Sequence, residues 1–154
     1  MTATDVAVIE RFYAAFDAGD GATMAACYAP DVRFSDPVFP ELRGDRAGAM
    51  WRMLTDEPGD LRVELHEHEA DGGRGSAHWI ARYTFSESGR AVVNDIQASF
   101  RFENGLIAEH RDVFDFHRWA RQALGPVGLL LGWTPIVRSA VRRKAAARLE
   151  EFDR

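Results

Sequence analysis

Two aspartates and a histidine are the groups of this chain whose type and spacing suit proton transfer. Asp36 stands in Phe34-Ser35-Asp36-Pro37, where the proline holds it out of helical geometry. Asp112 follows His110 by two positions in the stretch from Ile107 to Phe116. A strand there turns Ala108, His110, Asp112, Phe114 and Phe116 to one face, with Glu109, Arg111 and Asp115 on the other. An acid flanked by Phe and His on an apolar face is of the kind that enzymes use as general acid or base. His110 can orient Asp112 or shuttle its proton, or be a packed structural histidine. The plainer alternatives are a turn in which Asp36 bonds its own backbone, and an ion pair of Asp112 with Arg111 or Arg82.

Other chemistries find less support. His66-Glu67-His68, with His78 on the next strand, has a spacing that can hold zinc. These histidines share a strand face with Arg62 and Glu64, however, which reads as solvated or intersubunit surface, and no metal is expected. Lysine occurs once, at Lys144, which excludes Schiff-base chemistry in a pocket elsewhere. There is no phosphate loop, dinucleotide fingerprint or nucleophile elbow, so no cofactor is expected.

Charge narrows the partners. The net charge of −5 divides unevenly: residues 1–116 carry 11 Lys+Arg and 21 Asp+Glu, residues 117–154 carry 8 and 3. Phosphate neutralisation needs a broad basic surface, so an acidic body excludes nucleic acid as the main partner. The single Cys27 cannot form an internal disulfide and suits a reducing compartment. No secretory signal is visible, and the longest mostly apolar stretch, Pro126 to Val137, is too short to span a bilayer. Cytoplasm is the expected address.

The elements that must position the acids follow from periodicity. Thr4 or Asp5 can cap a first helix with Val6, Ile9, Phe12, Tyr13 and Phe16 at helical spacing. Asp20 can cap a second, stopped by Pro30. After an extended piece at residues 32–35, a third helix opens at Gly44-Asp45, with Met50, Trp51, Met53 and Leu54 as its apolar side, and ends near Pro58-Gly59. Strands follow around 61–66, 78–85, 90–103 and 106–116, with a hairpin signal at Asn104-Gly105. The tail continues as a helix from His117 to Leu124, a Gly/Pro-punctuated apolar link, and a helix from Pro135 to about Phe152. In that last helix Val137, Val141, Ala145, Leu149 and Phe152 form one side, and Arg138, Arg142, Arg143, Lys144 and Arg148 much of the rest.

This order of elements resembles the nuclear transport factor 2 superfamily, in its ketosteroid isomerase-like and SnoaL-like branch. Ile9 to Asp20 is similar to the first helix and turn of ketosteroid isomerases, Phe34-Ser35-Asp36-Pro37-Val38 to the segment with their general base, and Phe100-Arg101-Phe102 with Asn104-Gly105 to a later strand and hairpin. Together the matches span residues 5–116. The resemblance implies that Asp36 is the proton-shuttling aspartate of this chain, while the two oxyanion-stabilising positions of the isomerases match Phe12 and Ala98, which cannot donate. The last strand resembles that of limonene-type epoxide hydrolases, which implies a water-activating role for Asp112. The water-positioning Tyr and Asn of those enzymes match Phe34 and Asp36, and their Arg-x-Asp pair matches Arg82-Tyr83-Thr84.

The expected architecture is α+β: a cone-shaped, strongly curved antiparallel sheet with the N-terminal helices packed in its concave face, plus a C-terminal helical tail. Residues 1–116 form the pocket and 117–154 an extension packed on or beside it, a single domain overall. Catalysis falls to Asp36, Asp112 and His110. A small apolar substrate would be lined by Phe12, Tyr13, Phe16, Phe34, Met50, Leu54, Trp79, Tyr83, Ala98, Phe100 and Phe114. Isomerase, cyclase or hydratase/epoxide hydrolase-like chemistry is expected, with a non-catalytic ligand-binding module as the alternative. A homodimer is expected through the outer sheet face of Asp95, Gln97, Ser99 and Arg101. The apolar run at 129–133 is expected to cover the mouth of the cone or a partner's surface; the alternative is a weak membrane-surface contact through residues 125–148.

Overall fold

A computed structural model describes residues 3–56 and 59–153. The chain runs α1 (Ala3–Asp17), α2 (Gly21–Ala26), β1 (Tyr28–Ser35), β2 (Leu42–Arg43), α3 (Asp45–Asp56), β3 (Arg62–Asp71), β4 (Arg74–Phe85), β5 (Arg90–Glu103), β6 (Leu106–Val113), α4 (Phe116–Leu124), α5 (Pro126–Leu131) and α6 (Pro135–Phe152). The expected end of the third helix near Pro58 lies outside the described residues. Six strands form one open, curved sheet in the order β2-β1-β6-β5-β4-β3, giving the α+β architecture read from the sequence.

Alternation makes the long strands. From Val92 to Phe100 every second residue of β5 is buried and every other one exposed, so one face of the strand meets the helices. Asn104 and Gly105 both take positive φ, 53° and 77°, which closes β5 onto β6 in a two-residue turn. Register breaks between Leu65 and His68 in β3 and between Arg101 and Phe102 in β5 add the local twist that bends the sheet.

Three local expectations change. α1 already includes Ala3, so Asp5 sits in its first turn, where its charge faces the positive end of the helix, rather than capping it. α2 ends at Ala26, and Pro30 falls inside β1, in the register break between Tyr28 and Arg33, where a residue without an N–H costs no ladder bond. The strands are also not a pure meander. β6 pairs with β5 antiparallel and with β1 parallel, so the first and last strands lie side by side at the middle of the sheet.

The core fills the space between the sheet and α1 and α3, with Ile9, Phe12, Tyr13, Met24, Phe34, Met50 and Ile107 wholly enclosed. The tail closes the end of this layer in its own way. Phe116, Trp119, Ala120 and Ala123 of α4 pack on Val92, joined by Tyr83, Phe85, Val137 and Val141. Leu149 of α6 reaches the main core, whereas Phe152 remains 38% exposed. The apolar link is helical, not irregular: α5 lies against α4 because Gly128 and Gly132 allow backbone to touch backbone. A Cβ on Gly128 would stand 1.9 Å from the carbonyl oxygen of Ala120. Gly128→Ala is therefore expected to push α5 off α4 and destabilise the fold by about 1–3 kcal/mol, read as a lower thermal midpoint.

Candidate active site

The parallel pairing of β1 with β6 sets the acids together. Phe34 is level with His110 and Ser35 with Arg111, where the pairing ends, and Asp36 follows at once, near enough for the charge of Asp112 to act on it. Neighbouring strands lie about 4.8 Å apart. From the other side β5 places Ala98 opposite Asp112 and Phe100 opposite His110.

His110 and Asp112 are 1% and 4% exposed, and a chain of hydrogen bonds holds them. The indole Nε1 of Trp51 donates to the Tyr28 hydroxyl at 2.7 Å, and that hydroxyl lies 2.7 Å from His110 Nδ1. His110 Nε2 is 2.9 Å from Asp112 Oδ1, and Trp79 Nε1 donates to the same oxygen at 3.4 Å. Because the indole can only donate, Tyr28 accepts from it and is free to donate to Nδ1. That leaves the imidazole proton on Nε2, pointed at Asp112. This tautomer satisfies every member of the relay in one direction. Phe12, Phe34, Trp51 and Phe100 surround the imidazole, Phe100 at 4.5 Å and Trp51 stacked parallel to it.

Asp36 combines the turn reading with the pocket reading. Its Oδ1 accepts from the backbone N–H of Val38 at 2.7 Å and of Phe39 at 2.6 Å. Burial nonetheless dominates: with the negative charge of Asp112 added, it outweighs those two donors and the Arg142 cation and raises the Asp36 carboxyl to about 7. Arg142 reaches the same loop through Nε, which donates to the Pro37 carbonyl at 2.9 Å. One of the basic residues outside the apolar side of the last helix, it ties α6 to the turn that carries Asp36.

Two tyrosines complete the surroundings. The Tyr13 hydroxyl is the one buried side-chain polar atom without a hydrogen-bond partner among the described residues. Burial, then the charges of Asp112 and Tyr28, push its phenol well above the usual range, so it remains a donor. Tyr83 accepts from Trp119 Nε1 at 2.7 Å, and burial raises its phenol as well.

Of the expected lining, Phe12, Phe16, Phe34, Met50, Trp79, Ala98 and Phe100 lie in one buried cluster with Tyr13, while Tyr83 and Phe114 are half-buried between that cluster and the one under α4. Leu54, in the last turn of α3, is 44% exposed and stands apart from the group. Neither of two open grooves is lined by an acid of the site. One, of about 680 Å³, runs between Gly89–Ala91 and α4; the other, of about 390 Å³, is bordered by Arg33, Ser99, Arg101 and Glu109 and also by Phe34, Phe100 and His110. Sequence reading missed Tyr28 and Trp51. Both look like core aromatics, and only the contact with His110 reveals them as donors.

The histidines on the outer face have carboxylate partners. His78 is 2.7 Å from Asp95 and 3.0 Å from Glu67, His68 is 3.1 Å from Glu10, and His66 is 3.3 Å from Glu64. Arg82 points outward to Glu64 at 2.7 Å, so the ion pair considered for Asp112 does not form with it.

Comparison with known proteins agrees with this architecture. Among solved structures the chain is similar to a nuclear transport factor 2-like protein of unknown function from Burkholderia pseudomallei, with 22% identity, 79% of this chain and 98% of that one covered, and a TM-score of 0.68. It is equally similar to an M. tuberculosis protein described as an LEH-like epoxide hydrolase, at 22% identity, 84% and 97% coverage and a TM-score of 0.68. A third, from Catenulispora acidiphila, has a ketosteroid isomerase-like fold and was solved with trimethylamine; identity is 15%, coverage 83% and 97%, TM-score 0.68. These likenesses define the fold. No curated protein matches the sequence significantly. Residues 9–110 match the SnoaL-like domain, and the chain belongs to that family.

Proposed function

We propose that this SnoaL-like protein is an enzyme that moves protons on a small apolar substrate with Asp112 and Asp36, without a cofactor. The observation that carries this reading is the oriented relay from Trp51 through Tyr28 and His110 to Asp112, with a second carboxyl at about 7 in the turn that follows the adjoining strand. A core that needed only packing would place apolar groups there, since each buried polar group must be matched to avoid a penalty. Both interactions of Asp112 fall on Oδ1, which leaves Oδ2 as the oxygen that meets substrate or water. Asp36 exchanges a proton near neutrality, where a general acid/base is most effective.

Phe12 and Ala98 leave the isomerase-type oxyanion positions without donors, which works against steroid-type isomerisation by that route. The unpartnered Tyr13 hydroxyl is the donor on hand for a substrate oxygen. Substrate reaches the acids when the loop of Asp36–Phe39 and α6, joined through Arg142, part from each other. The chain acts in the cytoplasm, as a homodimer through the outer sheet face.

Limonene oxide and a β,γ-unsaturated cyclic ketone are suitable first probes, with diol and conjugated enone as products. Turnover of either is expected, and Asp112→Asn should lower it by a factor on the order of 10². A chain that turns over neither, yet binds an apolar fluorophore competitively with both, is a ligand-binding module instead. Tyr13→Phe is expected to reduce turnover while leaving the fold intact, because the hydroxyl it removes has no protein partner.

A further inference from the structure

The end of the molecule formed by α4, α5 and the start of α6 is unused by the acid/base site and has a composition of its own. α5 and the turn after it leave Val127, Leu129, Leu130, Leu131, Trp133 and Ile136 in solvent, with Leu130 69%, Trp133 71% and Ile136 79% exposed. The expectation that this run covers the mouth of the cone is therefore wrong for the chain itself. Phe116, Trp119 and Leu149 do the covering, and the apolar side chains of α5 face outward because its two glycines occupy the side against α4.

Cations border this apolar knob. Arg118 and Arg121 are exposed on α4 and have no ion pair among the described residues; with Arg90 they line the groove of about 680 Å³. α5 crosses α4 beside them, since Gly128 abuts the backbone of Ala120 and Arg121, and Gly125 abuts the Arg90 guanidinium. Arg138 begins α6 stacked on Phe116 at 5.1 Å, followed by Arg143, Lys144 and Arg148, all exposed.

We infer that this end docks on an anionic lipid bilayer. α5 lies in the interface with its leucines, Trp133 and Ile136 in the acyl boundary, and Arg90, Arg118 and Arg121 face lipid phosphates. Three observations choose this occupant. The apolar surface is a projecting helix of only six residues, about 9 Å long, shaped to enter a soft surface. Trp133 stands at the junction of apolar and basic residues, where an indole suits the membrane–water boundary. Pairing with a second copy through the same knob would bring the two sets of arginines together, so like charge opposes it. No described helix is long and apolar enough to cross a membrane, so contact is confined to the surface. This docking does not depend on the acid/base reading.

The tryptophans make the test direct, because Trp51, Trp79 and Trp119 are buried and Trp133 is exposed. The intact chain is mixed with vesicles of equal parts phosphatidylglycerol and phosphatidylcholine, or of phosphatidylcholine alone, with and without brominated acyl chains. Expected are co-sedimentation with the anionic vesicles that weakens with salt, and quenching of the Trp133 emission by bromine. Trp133→Phe should abolish the quenching, and Leu130→Asp the binding. Arg118→Glu with Arg121→Glu should lower partitioning at least about tenfold, since each cation near an anionic surface contributes roughly 1 kcal/mol. All four positions are exposed, and unchanged circular dichroism confirms folding. Failure to bind anionic vesicles, equal binding to neutral ones, or a self-association lost in Leu130→Asp without any vesicle binding would each overturn the proposal.

Discussion

Leucine in place of His110 is expected to destabilise the protein by about 3 kcal/mol, because it takes the hydrogen-bond partner from a buried carboxylate and from a buried hydroxyl at once. The loss has little to do with volume, since leucine fills most of the space of an imidazole among Phe12, Phe34 and Phe100. It arises because Asp112, 4% exposed, would keep only the long contact from Trp79 at 3.4 Å, and because the Tyr28 hydroxyl would lose its acceptor. The double replacement His110→Leu with Asp112→Leu removes both ends of the pair. It should recover much of the loss, because two apolar groups leave no buried charge uncompensated. Urea midpoints for the two single variants, the double variant and the parent give the coupling directly. Additive effects would show that the relay contributes no coupling.

The second large effect is a dependence of stability on pH that belongs to one residue. Asp36 rises from the ordinary 3.8 to about 7 on folding. Between those values the folded chain holds a proton that the unfolded chain has released, so stability falls as pH rises through the window and levels off above it. The full span corresponds to a difference on the order of 4 kcal/mol. Asp36→Asn retains an oxygen for the Val38 and Phe39 N–H groups and removes the charge. Comparing variant and parent cancels the exposed groups that titrate nearby, among them His68 and His78. The advantage of Asp36→Asn should be near its minimum at pH 4 and grow to a plateau above pH 7. A difference that is constant with pH would mean that Asp36 is not buried as a carboxylate.

Much of this arrangement was legible in residue order because it rests on local period. Alternation from Ala108 to Val113 placed His110 and Asp112 on the inner face, and Asn104-Gly105 marked the turn before them; the strand expected to run to 116 stops there, because Asp115 caps α4 and Phe116 opens it. What local period cannot report is which strand lies beside which. The parallel union of β1 with β6, which brings Asp36 to Asp112, left no trace of its own in either segment. Glycines misled for a physical reason. At Gly128 and Gly132 the absence of a side chain permits close helix contact, whereas in sequence it reads as slack, so α5 looked like a link. Tyr28 and Trp51 were hidden by their aromatic character: nothing in the spacing of a buried aromatic tells whether its polar atom is used.

The union of β1 and β6 has a further consequence, for the order in which the molecule comes into being. Tyr28 and His110 are 82 residues apart, and the intervening chain must already be arranged before their contact can form. Such distant pairings are reached late in folding and slow it. On the ribosome, β1 and the Asp36 turn emerge early and wait without their neighbour until residues 106–113 follow. A nascent or truncated chain that ends before β6 lacks both Asp112 and the strand that seats Asp36 beside it. No partly assembled form holds both acids in place. Completion of the sheet and completion of the site are the same event.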